Sequence, residues 1–336
     1  MRRRAEKADI PAFSEGPLGF RGHRAPFVFG SSGASLLSGH LCLQPQGHYI
    51  GFAGASVLGH RPQGVSRLKT AFAFMALLLL AGHADAAQLV PHRAIYDLSL
   101  LRVNEGASLQ SASGKLAFEL DGSSCEGFTV NFRMATRFRP EEGAATLFDT
   151  VTTTFEAPDA TQLRHQMKER VDGKVREDVK IKMTRPSAEA EGKADVSTKP
   201  GEPVAVPAGA MLPMQHQLRL MSLGEQGGGR DESVIFDGSD GGKSFQAISF
   251  VGKEKAPGSI TRDSGNLAAA PLKANRAWPM TVSYYELEGG TETPEYQVSF
   301  DLYDNGVATG LVLDYGEFAL RGTLTDLKLL DQPKCP

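Results

Sequence analysis

The chain has 336 residues, with 36 Lys and Arg against 39 Asp and Glu and three cysteines. Nine of those bases and four of the acids precede a cleavage point argued below, so the remainder holds 27 bases and 35 acids, a formal net charge of −8. Such acidity makes the domain a poor candidate for nucleic acid or anionic membrane surfaces as partners, and about 250 residues is ample for one core.

Residues 1–64 carry Gly, Pro, Arg and His with no sustained period of 2 or 3.6. Residues 67–86, RLKTAFAFMALLLLAGHADA, have the layout of a secretory signal. Arg67 and Lys69 form a basic start, Ala71 to Ala81 an apolar stretch, and Ala84-Asp85-Ala86 a small-residue cleavage site. The stretch is well short of the roughly 20 apolar residues of a spanning helix. The expected division is a gene-model extension over 1–64, a signal peptide over 65–86 cut near Ala86, and one exported domain over 87–336.

In that domain, alternation with period 2 dominates. Phe128, Val130, Phe132, Met134 and Phe138 share one face of a strand, and Thr129, Asn131, Arg133 and Arg137 lie on the other. Similar runs recur near 93–103, 114–120, 146–156, 162–171, 175–183, 232–237, 244–252, 278–287, 295–303, 308–315 and 317–329. Asp121-Gly122, Asp172-Gly173 and Asn305-Gly306 read as hairpin turns, because these pairs accept positive φ. About a dozen strands in series predict an all-β fold, an antiparallel up-and-down sheet curled into a broken barrel or β-spiral. Pro186 to Leu212 reads as an irregular crossing. One helix is expected, from Pro213 to Leu223, with Met214, Leu218 and Met221 on one side, as a plug or cover for the mouth of the curl. The inner face, with Phe128, Val130, Phe132, Met134 and Phe138 as its candidate residues, is either filled or left as an apolar groove.

Catalytic patterns are weak. The histidines of the domain, His92, His165 and His216, are far apart and read as structural. FDGSDGGKSF (236–245) ends like a phosphate loop, but Asp237 stands where the first glycine belongs, and Ile248 stands where a calcium loop needs its closing Glu. It reads as a wide hairpin connection. No G-x-S-x-G elbow occurs in the domain, so no catalytic residue, metal or cofactor is expected. Cys125 and Cys335, the two cysteines left after export, suggest either one disulfide or two buried thiols.

LVPHRAIYDLSL (89–100), GSSCEGF (122–128), VTTTFE (151–156), FDGSD (236–240), WPMTVSYY (278–285), LYDNGV (302–307) and LDYGEFALRGTLTDLKLLDQPKC (313–335) together resemble the cell envelope integrity protein EipB family. The resemblance runs from Leu89 to Cys335. It implies a periplasmic β-spiral, a Cys125–Cys335 disulfide, a role in tolerating envelope stress and no enzymatic activity. Such a disulfide is expected to staple the last strand and tie down a sheet edge. The expected protein is a monomer that binds another envelope protein; a carrier of lipid or lipoprotein acyl chains is the alternative.

Overall fold

The computed structural model describes residues 88–259, 263, 265–287, 292–333 and 335; the expected signal peptide and the 1–64 extension lie outside them. The described residues form one antiparallel sheet of fourteen strands. Its first half runs β1 (His92–Val103), β2 (Leu109–Ser123), β3 (Gly127–Pro140), β4 (Thr146–Glu156), β5 (Gln162–Val171), β6 (Lys174–Thr184), β7 (Gly192–Val196) and β8 (Val204–Val206). Helix α1 (Pro213–Glu225) follows. The second half is β9 (Gly229–Ile235), β10 (Phe245–Val251), β11 (Ala277–Glu286), β12 (Tyr296–Tyr303), β13 (Ala308–Asp314) and β14 (Phe318–Leu329).

Each strand pairs with its chain neighbour, and β1 pairs with β14, which joins the two halves into the order 8-7-6-5-4-3-2-1-14-13-12-11-10-9. The sheet therefore ends at β8 and β9 and does not close. Register shifts at Ile95/Tyr96, Leu100/Arg102, Leu109/Ser111, Glu169/Arg170 and Ser299/Asp301 mark bulges; an extra residue on one strand bends it and increases its twist, which curls a long sheet. The two ends meet through side chains. Val179, Ile181 and Met183 of β6, Val196 of β7 and Val206 of β8 pack with Leu212 and Phe236 in one buried cluster. A single parallel bridge, Met211 to Ile235, adds backbone contact there.

Three sequence expectations are corrected. The crossing over 186–212 contains β7 and β8, whose five and three residues are too short for a period to register. Asp121-Gly122 lies inside β2, and the turn is Ser124-Cys125-Glu126. β14 is not an edge, since β1 and β13 flank it. By contrast, Asp172 and Gly173 do form a two-residue hairpin, with φ of 49° and 77°.

Candidate functional site

The inner face changes character across the sheet. Val130, Phe132 and Met134 of β3 stand opposite Leu120, Phe118 and Leu116 of β2 on one side. On the other side they face Thr154, Thr152 and Thr150 of β4. The apolar wall thus turns hydroxylic at β4, and β5 continues it with His165, Met167 and Glu169. The five inner residues of β3 do not line one common slot. Phe128, which is buried, and Val130 pack with Trp278 and Leu302. Phe132 joins Tyr96, Leu98 and Leu324, and Met134 bridges that group to the next. Phe138 sets its ring edge against Phe148 and Phe318, with centroids 5.7 and 5.4 Å away. All but Phe128 remain half-buried.

Across the interior, Tyr284 of β11 and Tyr296 of β12 stack with centroids 4.5 Å apart. Burial and the nearby charge of Asp237 hold both phenols well above the ordinary tyrosine range. His165 Nδ1 lies 2.8 Å from Thr154 Oγ1, and burial lowers its pKa against the pull of Asp237. Asp237, which breaks the phosphate-loop pattern and would open the calcium-loop one, is the charge these three inner groups share.

Helix α1 is built into this interior. Its N-cap residue is Leu212, whose side chain offers no cap bond. Glu156, at the end of β4, supplies the acceptors instead: Met214 N–H donates to Oε2 at 2.9 Å and Gln215 N–H to Oε1 at 3.2 Å. Gln215 Oε1 in turn accepts from the Leu212 N–H and from Arg185. The buried Arg185 guanidinium also donates to the carbonyls of Ala160 and Ala210. Burial raises the Glu156 pKa to about 7 despite these donors. At the other end of the helix, Gly224 presses on Trp278; a Cβ there would stand 2.7 Å from the indole.

A Ser-His-Asp cluster invisible to sequence spacing lies beside the helix. Ser249 Oγ is 3.3 Å and Asp231 Oδ2 3.9 Å from His216 Nε2. Ser233 and Arg219 both donate to Asp231. In a hydrolytic triad the carboxylate holds Nδ1 and the hydroxyl meets Nε2; here both approach the same nitrogen. Ser249 is 0% and His216 5% exposed, and burial lowers the His216 pKa to about 4. A neutral, enclosed imidazole of this kind satisfies polar groups in a core.

Cys125, in the β2–β3 turn, and Cys335, six residues beyond β14, are bonded, with Cα atoms 5.8 Å apart. The bond joins the C-terminal segment to the far end of the β2–β3 hairpin, across β1. Among the described residues, no group of three or more His, Cys, Asp or Glu is placed to hold a metal ion.

Comparison with known proteins agrees with this architecture. The chain is 34% identical over 270 residues to the cell envelope integrity protein EipB of Brucella abortus (strain 2308), covering 79% of this chain and 93% of that protein. It superimposes with a TM-score of 0.67 and 30% identity on the crystal structure of a β-barrel-like protein, a domain of unknown function from Brucella abortus. That match covers 73% of this chain and all of the other. The EipB-like family model matches residues 83–331, and the chain belongs to that family.

Proposed function

We propose that this chain is a non-enzymatic periplasmic protein that maintains cell envelope integrity under envelope stress by binding another envelope protein. The carrying observation is the relative named for cell envelope integrity, which shares 34% identity over nearly all of its length. The signal peptide expected over 65–86 and the Cys125–Cys335 bond support an oxidising compartment outside the cytoplasm. The enclosed geometry around His216 supports the non-enzymatic reading. Deleting the gene should sensitise the bacterium to detergent, EDTA and cell-wall antibiotics; a deletion strain as resistant as its parent overturns the proposal.

A second reading, a carrier of lipid or lipoprotein acyl chains, is favoured by the half-buried side chains of Val130, Phe132, Met134 and Phe138 on the inner face. Native mass spectrometry of the protein from the periplasm separates the two. A persistent lipid adduct selects the carrier, and a lipid-free mass with a bound protein selects the partner-binding role.

A further inference from the structure

The neighbours of β6 cover it unequally. On one side β5 pairs with it from Gln162/Thr184 to Val171/Lys174. On the other side β7 pairs only over Ile181 to Thr184. Ser197 then closes the ladder: its N–H donates to the Lys180 carbonyl and its Oγ accepts from the Lys180 N–H, each at 2.9 Å. The chain next turns away through 198–201. Backbone groups of alternate residues on a strand point to the same side. Asp178 therefore directs its N–H and C=O into the lane that β7 has left, and no described residue pairs with it there. Lys174 to Asp178 are exposed without alternation, Val175 by 56%.

Beside this open edge lies a depression of about 700 Å³ on the outer face of β4 to β7. Phe155 and Thr153 of β4 line it with Arg164 and Gln166 of β5, Lys180 and Lys182 of β6, Asp195 of β7, the register partner of Lys182, and the turn at Ser197 to Gly201. Three cations therefore stand there against one carboxylate. The Arg164 guanidinium lies over the Phe155 ring, 5.5 Å from its centroid. Neighbouring cations are neutralised, Lys168 by Asp178 and Arg176 by Glu169, but Arg164, Lys180 and Lys182 make no ion pair among the described residues. A cationic patch on a domain of net charge −8 calls for an anionic ligand. The open edge calls for an extended backbone. Two copies pairing edge to edge would bring lysines against each other, which disfavours self-association.

We propose that the Lys174–Lys180 edge of β6, with Arg164, Lys180 and Lys182, binds an extended acidic peptide segment of a partner protein as an added strand. The proposal rests on the partner-binding reading above and names the partner's chemistry.

The probe is a fluorescent peptide of about seven residues, alternating Glu with Val or Thr, the length that spans the edge at roughly 3.3 Å per residue. Anisotropy with the disulfide-bonded protein should show binding that weakens with salt, and the counterpart with Lys for Glu should not bind. K180E/K182E should weaken binding by about tenfold or more. Asp178→Pro removes the outward N–H without touching the β5 ladder, and should abolish binding. Asp178→Ala keeps that N–H and, by freeing Lys168 from its ion pair, should bind at least as tightly as wild type, with both variants melting near it. No binding of the acidic peptide, or equal binding to D178P and D178A, overturns the proposal. So does stronger binding to phosphatidylglycerol vesicles that K180E/K182E abolishes and D178P does not, which would assign the patch to an anionic headgroup. Sensitivity of the deletion strain is read separately. A strain without a phenotype removes the envelope role, whereas a phenotype fully complemented by D178P removes this surface from it.

Discussion

Glu156 at the end of β4 accepts the Met214 backbone N–H at the start of α1, at 2.9 Å, across 58 residues of sequence. Buried helix ends need acceptable partners for their first N–H groups. Here the partner is a carboxylate fixed to the sheet, so the helix cannot leave the interior without exposing both its own N-terminus and Glu156.

That contact predicts a pH signature. The Glu156 pKa rises from an ordinary 4.5 to about 7 in the fold, so the folded state holds the extra proton. Its contribution is fully present below about 4.5 and is lost as pH rises through 7. His216 has the opposite sign. Its pKa falls from 6.5 to about 4, so its contribution is present above 6.5 and is lost as pH falls towards 4. Between about 4.5 and 6.5 the two slopes oppose each other. The stability difference between wild type and Glu156→Gln, from urea unfolding, should fall by about 1.4 kcal/mol per pH unit across 4.5 to 7. A difference independent of pH means that Glu156 is ionised throughout.

The disulfide should act on the unfolded chain more than on the last strand. It spans 210 residues, and loop-closure entropy gives such a bond roughly 5 kcal/mol as an upper figure. Cys335→Ser should fold and melt lower. Because β14 is hydrogen-bonded by β1 and β13, its amide protection should persist while the tail beyond Leu330 and the β2–β3 turn loosen. Equal melting temperatures with and without reductant would remove the stapling role.

Gly224→Ala adds one methyl group where the Trp278 indole already stands 2.7 Å from the would-be Cβ. Alanine is the better helix former by about 1 kcal/mol, yet overpacking of about 1–3 kcal/mol should win. Trp278 is the only tryptophan, so its fluorescence reports this seat directly. A variant as stable as wild type or more so, with an unshifted emission maximum, would show the helix end to be loosely held.

Ser249→Ala tests the enclosed Ser-His-Asp cluster. If the hydroxyl only satisfies His216, the variant should restore detergent and EDTA resistance to a deletion strain at the parental level. Loss of complementation by a variant that melts like wild type would point to chemistry at Ser249.

The strands were legible where they were long and half-buried. In β3, the sequence from Phe128 to Met134 alternates because one side faces the interior and the other carries Asn131 and Arg133 on the outer face. The same logic fails for β7 and β8, which are too short to show a period. It also fails for the turn at Ser124 to Glu126, because the Asp121-Gly122 signal sits three residues early, inside a ladder that runs to Ser123/Gly127. The candidate inner face was located by alternation, but its division among three packing clusters depends on partners more than a hundred residues away, such as Trp278, Leu324 and Phe318.

Sequence alone determined the antiparallel β class, the one long helix and the pair of cysteines, because periodicity, turn chemistry and residue type are local properties. Tertiary structure decided that β14 lies inside the sheet, that Glu156 caps a helix from another element, and that Ser249, His216 and Asp231 converge in a buried cluster. It also decided that β7 ends early and leaves the cationic edge of β6 open. Each of these depends on which distant strands become neighbours, and strand pairing is set by the collective burial of the whole sheet rather than by any segment's own residues.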